Sequence, residues 1–326
     1  MTINFCTLFD SKFLPQGLAL YRSLEKYCPD FHLYIFAFDQ TTVDIVKKLD
    51  LPKATVVTVA EFENPELIKV RAGRTAREYY WTCTPAIILY SLRHFNLDMC
   101  TYVDADMLFF DSPKVLLDEL GKGSILITGH RYDPGHDKSY KLGKYCVQFN
   151  SFKNNDDGMK ALTWWYERCL EWCYARVEDG KFGDQKYLDD WPQRFSGVHE
   201  LWHLGGGVAP WNAGQYDFDG RNGKTWLKET GTGKEFPLIF YHFHQTKLYK
   251  IAGHIRIKSG YQAINQKTDL RTLVYQEYER AISNALTSLN KLGFTPTFTG
   301  TADYFARSLR ESLPSWLKRP VKKLIR

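Results

Sequence analysis

The first sixty residues alternate strand and helix patterns, and this alternation limits the fold more than any other feature. Ile3–Phe9 reads as a strand. Leu18, Tyr21, Arg22, Leu24 and Glu25 continue an amphipathic helix to about Tyr27, with Pro15 suited to its first turn. Residues 32–38 look like a strand buried on both faces. A helix over 42–49, with Thr41 as its expected N-cap, and a strand over 54–59 follow. A β-α-β-α-β order implies parallel strands in a doubly wound α/β sheet. In such sheets ligands sit beyond the carboxyl ends of the strands. Asp10, Asp39 and Asp104 all fall at strand ends.

Farther on, residues 61–80 are polar and helical in part, and 85–95 reads as an apolar helix leading into a strand that ends at Asp104. Strands are expected at 124–128 and 145–152, and a long helix over 159–176. A shorter helix begins near Phe182, with Asp184 at its start. Asn222-Gly223 signals a hairpin between residues 215–219 and 224–227. Residues 237–244 form an apolar strand and 270–292 a long amphipathic helix.

With 326 residues, 44% hydrophobic and 15% aromatic, the chain can bury a large core, which excludes disorder. Its seven cysteines are odd in number and form no Cys-x-x-Cys pair, so reduced thiols are expected rather than a disulfide framework or zinc site. The N-terminus enters a strand at once, giving no sign of a signal peptide, and no apolar run is long enough to span a bilayer. The net charge of +6 is concentrated in residues 303–326, where seven basic residues face two acids. The nearly neutral body argues against a nucleic-acid binder. In this tail Phe305, Leu309, Leu313, Trp316 and Leu317 lie among the bases, and Pro314 and Pro320 interrupt it. It reads as two short basic amphipathic segments for an anionic membrane surface, against the plainer reading of a solvated tail.

Chemistry concentrates at residues 101–110, where two acids, Asp104 and Asp106, break an apolar β-type run. At spacing i, i+2 in extended chain both carboxylates lean to one side. They repel unless a cation lies between them, and oxygen donors suit Mg²⁺ or Mn²⁺, which in turn suit a diphosphate. Read alone, most Asp-x-Asp triplets are solvated turns. His242 and His244 share one face of an extended segment, and one imidazole would complete an Asp/Asp/His set. Lys247 stands just beyond as a point charge for phosphate.

Four motifs in order carry a resemblance. Asp10-x-x-Phe13 precedes a helix ending Arg22-Ser23-Leu24; Asp104-Ala105-Asp106 follows; then Asp184-Gln185; then His242-x-x-Gln245 with a lysine after it. Over residues 1 to about 250 the chain resembles GT-A glycosyltransferases, closest to the family 8 type that builds bacterial surface glycans. The resemblance implies a Rossmann-like mixed sheet flanked by helices. It implies that Asp10 contacts uracil in a pocket lined by Thr7 and Leu8, and that Asp104 and Ala105 lie at the ribose and donor. Asp104, Asp106 and His242 would hold Mn²⁺ or Mg²⁺, with His244 as the alternative ligand. Lys247 would pair with the leaving diphosphate, and Asp184 and Gln185 would orient the donor sugar.

Two departures stand out. Where the family carries Asn-x-Gly, this chain has Tyr145-Cys146-Val147-Gln148 with Asn150 two residues on, so Gln148 and Asn150 are the candidates to face the sugar. The family arginine before the Asp-x-Asp strand is missing, and Arg74 or Arg77 would substitute. Trp211 and Asn212 end a Gly-rich stretch that reads as an acceptor or lid loop, or equally as a plain turn. The expected activity is transfer of a hexose from a UDP-sugar to a hydroxyl of a surface glycan such as lipopolysaccharide, or of a lipid-linked acceptor. The family retains anomeric configuration; an inverting variant would need a general base, for which Asp184 is the candidate. The rivals are a non-catalytic nucleotide-sugar-binding scaffold that docks a partner or membrane through its tail, and a nucleotidyltransferase, which would need a Gly-rich basic loop after the first strand. The expected organisation is a transferase domain over 1–255, a helical extension over 256–300 and the basic tail over 301–326. The expected location is cytoplasmic, with the tail suggesting peripheral attachment to the inner membrane face.

Overall fold

The structure, a computed structural model, describes residues 2–251 and 254–298. The basic tail expected over 301–326 lies outside the described residues. The chain begins with strand β1 (Ile3–Phe9), helix α1 (Leu14–Tyr27), β2 (Phe31–Ala37), α2 (Gln40–Leu49) and β3 (Ala54–Thr58). The three strands pair in parallel, as the alternation requires. The N-cap of α2 is Asp39 rather than Thr41: its carboxylate accepts from the Thr42 N–H and hydroxyl and from the Ser11 N–H. One carboxylate thereby caps the helix and ties down the loop after β1.

Helix α3 (Ala76–His94) starts nine residues before Pro85, where the sequence places its beginning. A Thr75–Glu78 capping box starts the helix, and Pro85 is carried in its interior at the loss of one backbone bond. Strands β4 (Met99–Val103), β5 (Met107–Phe109), β6 (Ile125–Gly129) and β7 (Tyr145–Lys153) follow, then α4 (Asp156–Glu171) and β8 (Val198–Glu200). Asn155 caps α4 through the Gly158 N–H. The main sheet has seven strands in the order β3-β2-β1-β4-β7-β6-β8. It is mixed, because β7 runs antiparallel to both β4 and β6.

The hairpin β9 (Tyr216–Arg221) and β10 (Lys224–Glu229) turns at Asn222-Gly223, both with positive φ, as the dipeptide predicts. The apolar run after it divides into β11 (Glu235–Pro237), which joins β10, and β12 (Phe240–His242), which pairs antiparallel with β5. Strands β13 (Thr246–Ile251) and β14 (His254–Ser259) form a separate hairpin. After a π-helical turn at Arg271–Tyr275 comes α5 (Gln276–Lys291).

The sheet separates two cores. Phe5 and Phe9 of β1 face α1, α5 and the β5/β12 pair, whereas Cys6 and Leu8 face α3 and α4. All seven cysteines are buried and free. Among the described residues no helix is long and apolar enough to cross a membrane.

Candidate active site

The site forms where β4 stops. The Asp104 N–H still reaches the Gln148 carbonyl across the sheet (3.2 Å), but the Met107 N–H folds back to the Asp104 carbonyl (3.2 Å). This turn separates β4 from β5. Strand β5 then pairs with β12 in a register that sets His242 opposite Met107, and the Phe243 N–H binds the Asp106 carbonyl (2.9 Å). A residue far along the chain is thus carried onto the turn.

His242 Nε2 lies 3.1 Å from Asp106 Oδ1 and 3.6 Å from Asp104 Oδ2. One donor atom from each of the three residues falls within 4.8 Å of the others. The Tyr102 hydroxyl donates to Asp104 Oδ1 (2.7 Å), and His242 Nδ1 lies 2.7 Å from Gln148 Oε1. The imidazole is 5% exposed, while the Asp104 and Asp106 side chains keep 29% and 20%. Two carboxylates and one imidazole, closed on the protein side and open on the other, fit a hard or borderline divalent cation with positions left for outside oxygens.

The electrostatics have the same sense. Burial, opposed by the His242 charge and aided by that of Asp106, leaves Asp104 above the usual carboxylate range. Burial also works on Asp106, but charge and hydrogen bonding from His242 outweigh it and hold Asp106 low. Burial favours a neutral His242, yet the attraction of Asp106 wins and its pKa stands well above the ordinary histidine value. The pair of acids demands a positive charge; an imidazolium supplies it unless a cation does.

His244 lies outside the 4.8 Å group. Its ring is 5.5 Å from that of His242 and packs between Trp211 and Tyr261. Burial and the His242 charge push its pKa down to about 4.

Asp184 is buried at the start of a 3-10 turn (Gln185–Asp190). Burial, and then the charge of Asp104, raise its pKa to about 8, so it is largely protonated at neutral pH. Its carbonyl accepts from Trp165 Nε1 (2.9 Å) on α4. The Gln185 amide nitrogen is spent on the Leu142 carbonyl (2.6 Å). Thr7 is fully buried, its hydroxyl without a partner among the described residues, and Leu8 is buried beside it in β1. Asp10 accepts from the Lys12 N–H (3.0 Å) and the Tyr80 hydroxyl (3.0 Å). Ala105 is buried in the turn. Asn150 is buried and accepts from the Thr128 N–H (3.3 Å), its amide nitrogen without a partner among the described residues. Lys247 is exposed on β13 opposite Lys258.

Of the two candidate arginines, Arg74 is occupied by the Thr82 hydroxyl and the Leu170 carbonyl. Arg77 is exposed, and its charge helps depress His244, which marks it as the one near the site.

The Gly-rich stretch is a built turn rather than a free loop. Asn212 is fully buried, accepts from the Ala209 N–H and donates to the carbonyls of His130 and Gly207. The Trp211 indole donates to His130 as well and sets its ring edge-on to His242, 5.3 Å away. Asn212→Ala should lower stability by about 2–4 kcal/mol, since the buried Ala209 N–H and Gly207 carbonyl lose their partner while the His130 carbonyl keeps only the Trp211 indole; the midpoint of urea unfolding measures it.

Sequence reasoning missed the contacts that Tyr80 makes with Asp10, Tyr102 with Asp104, and Gln148 with His242. Tyr102 carried a signal, being two residues before Asp104 on a strand; the other two come from tertiary placement.

No family model matches the chain. Among curated proteins it is 33% identical to the uncharacterized protein YfnF of Bacillus subtilis over 311 residues, spanning 93% of this chain and 98% of that one. It is 30% identical to the uncharacterized YfnD of the same organism over 246 residues, spanning 74% and 77%. Among solved structures it superposes on the galactosyltransferase LgtC, crystallised with donor and acceptor sugar analogues. The TM-score is 0.53 at 14% identity, covering 95% of this chain and 100% of that one. The seven-stranded mixed sheet with helices on both faces is the GT-A fold.

Proposed function

Since the chain belongs to the family of YfnF and YfnD and has the GT-A fold, we propose that it is a divalent-metal-dependent glycosyltransferase. It moves a hexose from a UDP-sugar to a hydroxyl of a surface glycan or lipid-linked acceptor, with retention. The observation that carries this reading is the Asp104–Asp106–His242 group, open on one side, at the carboxyl end of β4.

Bound there, Mn²⁺ or Mg²⁺ would stabilise the charge that builds on the leaving diphosphate. The chain's own residues do the rest. Asp10, with Thr7 and Leu8, receives the uracil, and Asp104 and Ala105 meet the ribose and donor. Arg77 and Lys247 supply positive charge toward the diphosphate, the kind of transition-state stabilisation that contributes most in such reactions. Asp184, protonated at neutral pH, can donate a hydrogen bond to a sugar hydroxyl, and Gln185 and Asn150 complete the donor pocket. We assign residues 1–255 to the transferase domain and 256–300 to an extension that opens on the rest of β14 and contains α5. The basic segment 301–326 docks on the anionic inner face of a membrane, keeping the enzyme beside a lipid-linked acceptor.

UDP release from UDP-hexoses tests the reading: it should require Mn²⁺ and stop with EDTA. Failure of every nucleotide sugar to bind or react would overturn it. A pH prediction follows from His242. Its raised pKa means that a cation must displace its proton, so Mn²⁺ affinity should climb with pH by about tenfold per unit as long as the pH lies below the folded-state pKa of His242, and level off above it. Titration calorimetry across that range measures the slope.

A further inference from the structure

We infer that Gln148 is the positioning residue of the metal-binding histidine: its carboxamide oxygen keeps a proton on His242 Nδ1 and so turns the Nε2 lone pair toward Asp104 and Asp106. The inference rests on the metal-site reading above.

Gln148 is fully buried in β7, and it touches both sides of the site. Its side-chain oxygen lies 2.7 Å from His242 Nδ1, and its backbone carbonyl accepts the Asp104 N–H. A neutral imidazole has one N–H, and a cation can take Nε2 only if that proton sits on Nδ1. The proton on Nδ1 needs an acceptor, and the Gln148 oxygen is that acceptor. The other groups against His242, besides the two carboxylates, are the Val208 carbonyl, which accepts its backbone N–H (2.9 Å), the edge-on Trp211 and His244 rings, and the Cys146 thiol, a far weaker acceptor than the Gln148 oxygen. These fix where the ring lies but not which nitrogen holds the proton.

The other half of the amide points elsewhere. Gln148 Nε2 is buried without a partner among the described residues, on the side of Gly207 and Arg131. Gly207 has φ +91°, and a Cβ there would stand 3.3 Å from that nitrogen and closer still to Arg131 and Thr128. The glycine leaves the room that the NH₂ group occupies. A half-turn of the amide would present its N–H to Nδ1, drive the proton to Nε2 and aim that N–H at the carboxylates. The orientation seen is the one that accepts a cation.

The test is Mn²⁺ binding by the full chain, without nucleotide, followed by the EPR signal of free Mn²⁺. Gln148→Met removes the acceptor at similar volume and should weaken binding by about 10–100-fold, the usual effect of losing such a partner. Gln148→Glu keeps an oxygen at the same reach and should bind as tightly as the wild type or more so. Ring ¹⁵N shifts of His242 in the Mg²⁺-loaded protein add a readout that packing alone would not move. The proton should sit on Nδ1 in the wild type and Gln148→Glu, whereas in Gln148→Met at the same Mg²⁺ concentration a fraction of the molecules should remain unloaded, with a proton on Nε2. Unchanged binding in Gln148→Met, or loss in both variants, overturns the inference. If Gln148→Met does not fold, Gln148→Glu still decides: retained binding with the proton on Nδ1 supports the inference, and lost binding overturns it. Asp106→Asn is the control. If the wild type binds no Mn²⁺, or Asp106→Asn binds it equally well, the metal site itself falls and the inference with it.

Discussion

Asp106→Asn is expected to cut Mn²⁺-dependent turnover of a UDP-sugar by about 10²–10³-fold or more while leaving the fold intact. The scale is that of removing one preorganised electrostatic group from a transition state. Asparagine preserves the volume and the backbone carbonyl that accepts the Phe243 N–H, so β5 and β12 stay registered. What goes is one of two carboxylates in a three-residue donor set. The consequence for stability has opposing parts. Asp106 is held low, so its contribution is present above its unfolded pKa and disappears as pH falls through the folded one. At pH 7 the variant loses that contribution. It also relieves the repulsion that helps raise Asp104. A near-unchanged melting temperature with lost turnover is the expected pair of results; full Mn²⁺-dependent activity in the variant would refute the site.

The largest effect on stability is expected from Trp165→Ala, about 3–5 kcal/mol. Trp165 is fully buried between the sheet and the turn that carries Asp184. Its ring stacks on Phe152 at 6.1 Å and meets Trp191 edge-on at 5.6 Å. Truncation leaves a cavity among large aromatic groups that cannot collapse into it. Trp165→Phe separates packing from positioning: it loses less volume but removes the indole N–H that holds the Asp184 carbonyl, at about 1 kcal/mol. Urea unfolding at constant m-value measures both. If Trp165→Ala is within 1 kcal/mol of the wild type, the second core is not organised as described.

Much of the framework was legible because local pattern and tertiary need coincided. The alternation over residues 3–59 identified parallel strands, and Asn222-Gly223 identified its hairpin, since only a two-residue turn with positive φ suits that dipeptide. Asp104 and Asp106 showed themselves by interrupting an apolar run. Choosing between His242 and His244 was beyond the pattern. Period-two reasoning puts both on one face, but β12 ends at His242 and the chain turns at Gln245 with φ +54°, which sends His244 to a different wall. Pro85 misled because its cost is local, whereas the capping box at Thr75 and the buried face of α3 carry the helix through it. The glycines before Trp211 read as freedom, yet Asn212 fastens that turn from inside. Gln148 was legible only as a candidate to face the donor sugar; its contact with His242 had no local signal, because it depends on β7 lying beside β4 while β12 crosses at its end.

The central claim is that Asp104, Asp106 and His242 hold a cation that a nucleoside diphosphate shares. Its most direct test is the melting temperature of the purified chain with UDP, Mn²⁺, both and neither. A ligand that binds only the folded state raises that temperature by mass action. The account predicts a shift with UDP and Mn²⁺ together that exceeds the two separate shifts combined, and that vanishes in Asp106→Asn. A shift with UDP that Mn²⁺ does not alter, or no shift with either, would contradict it.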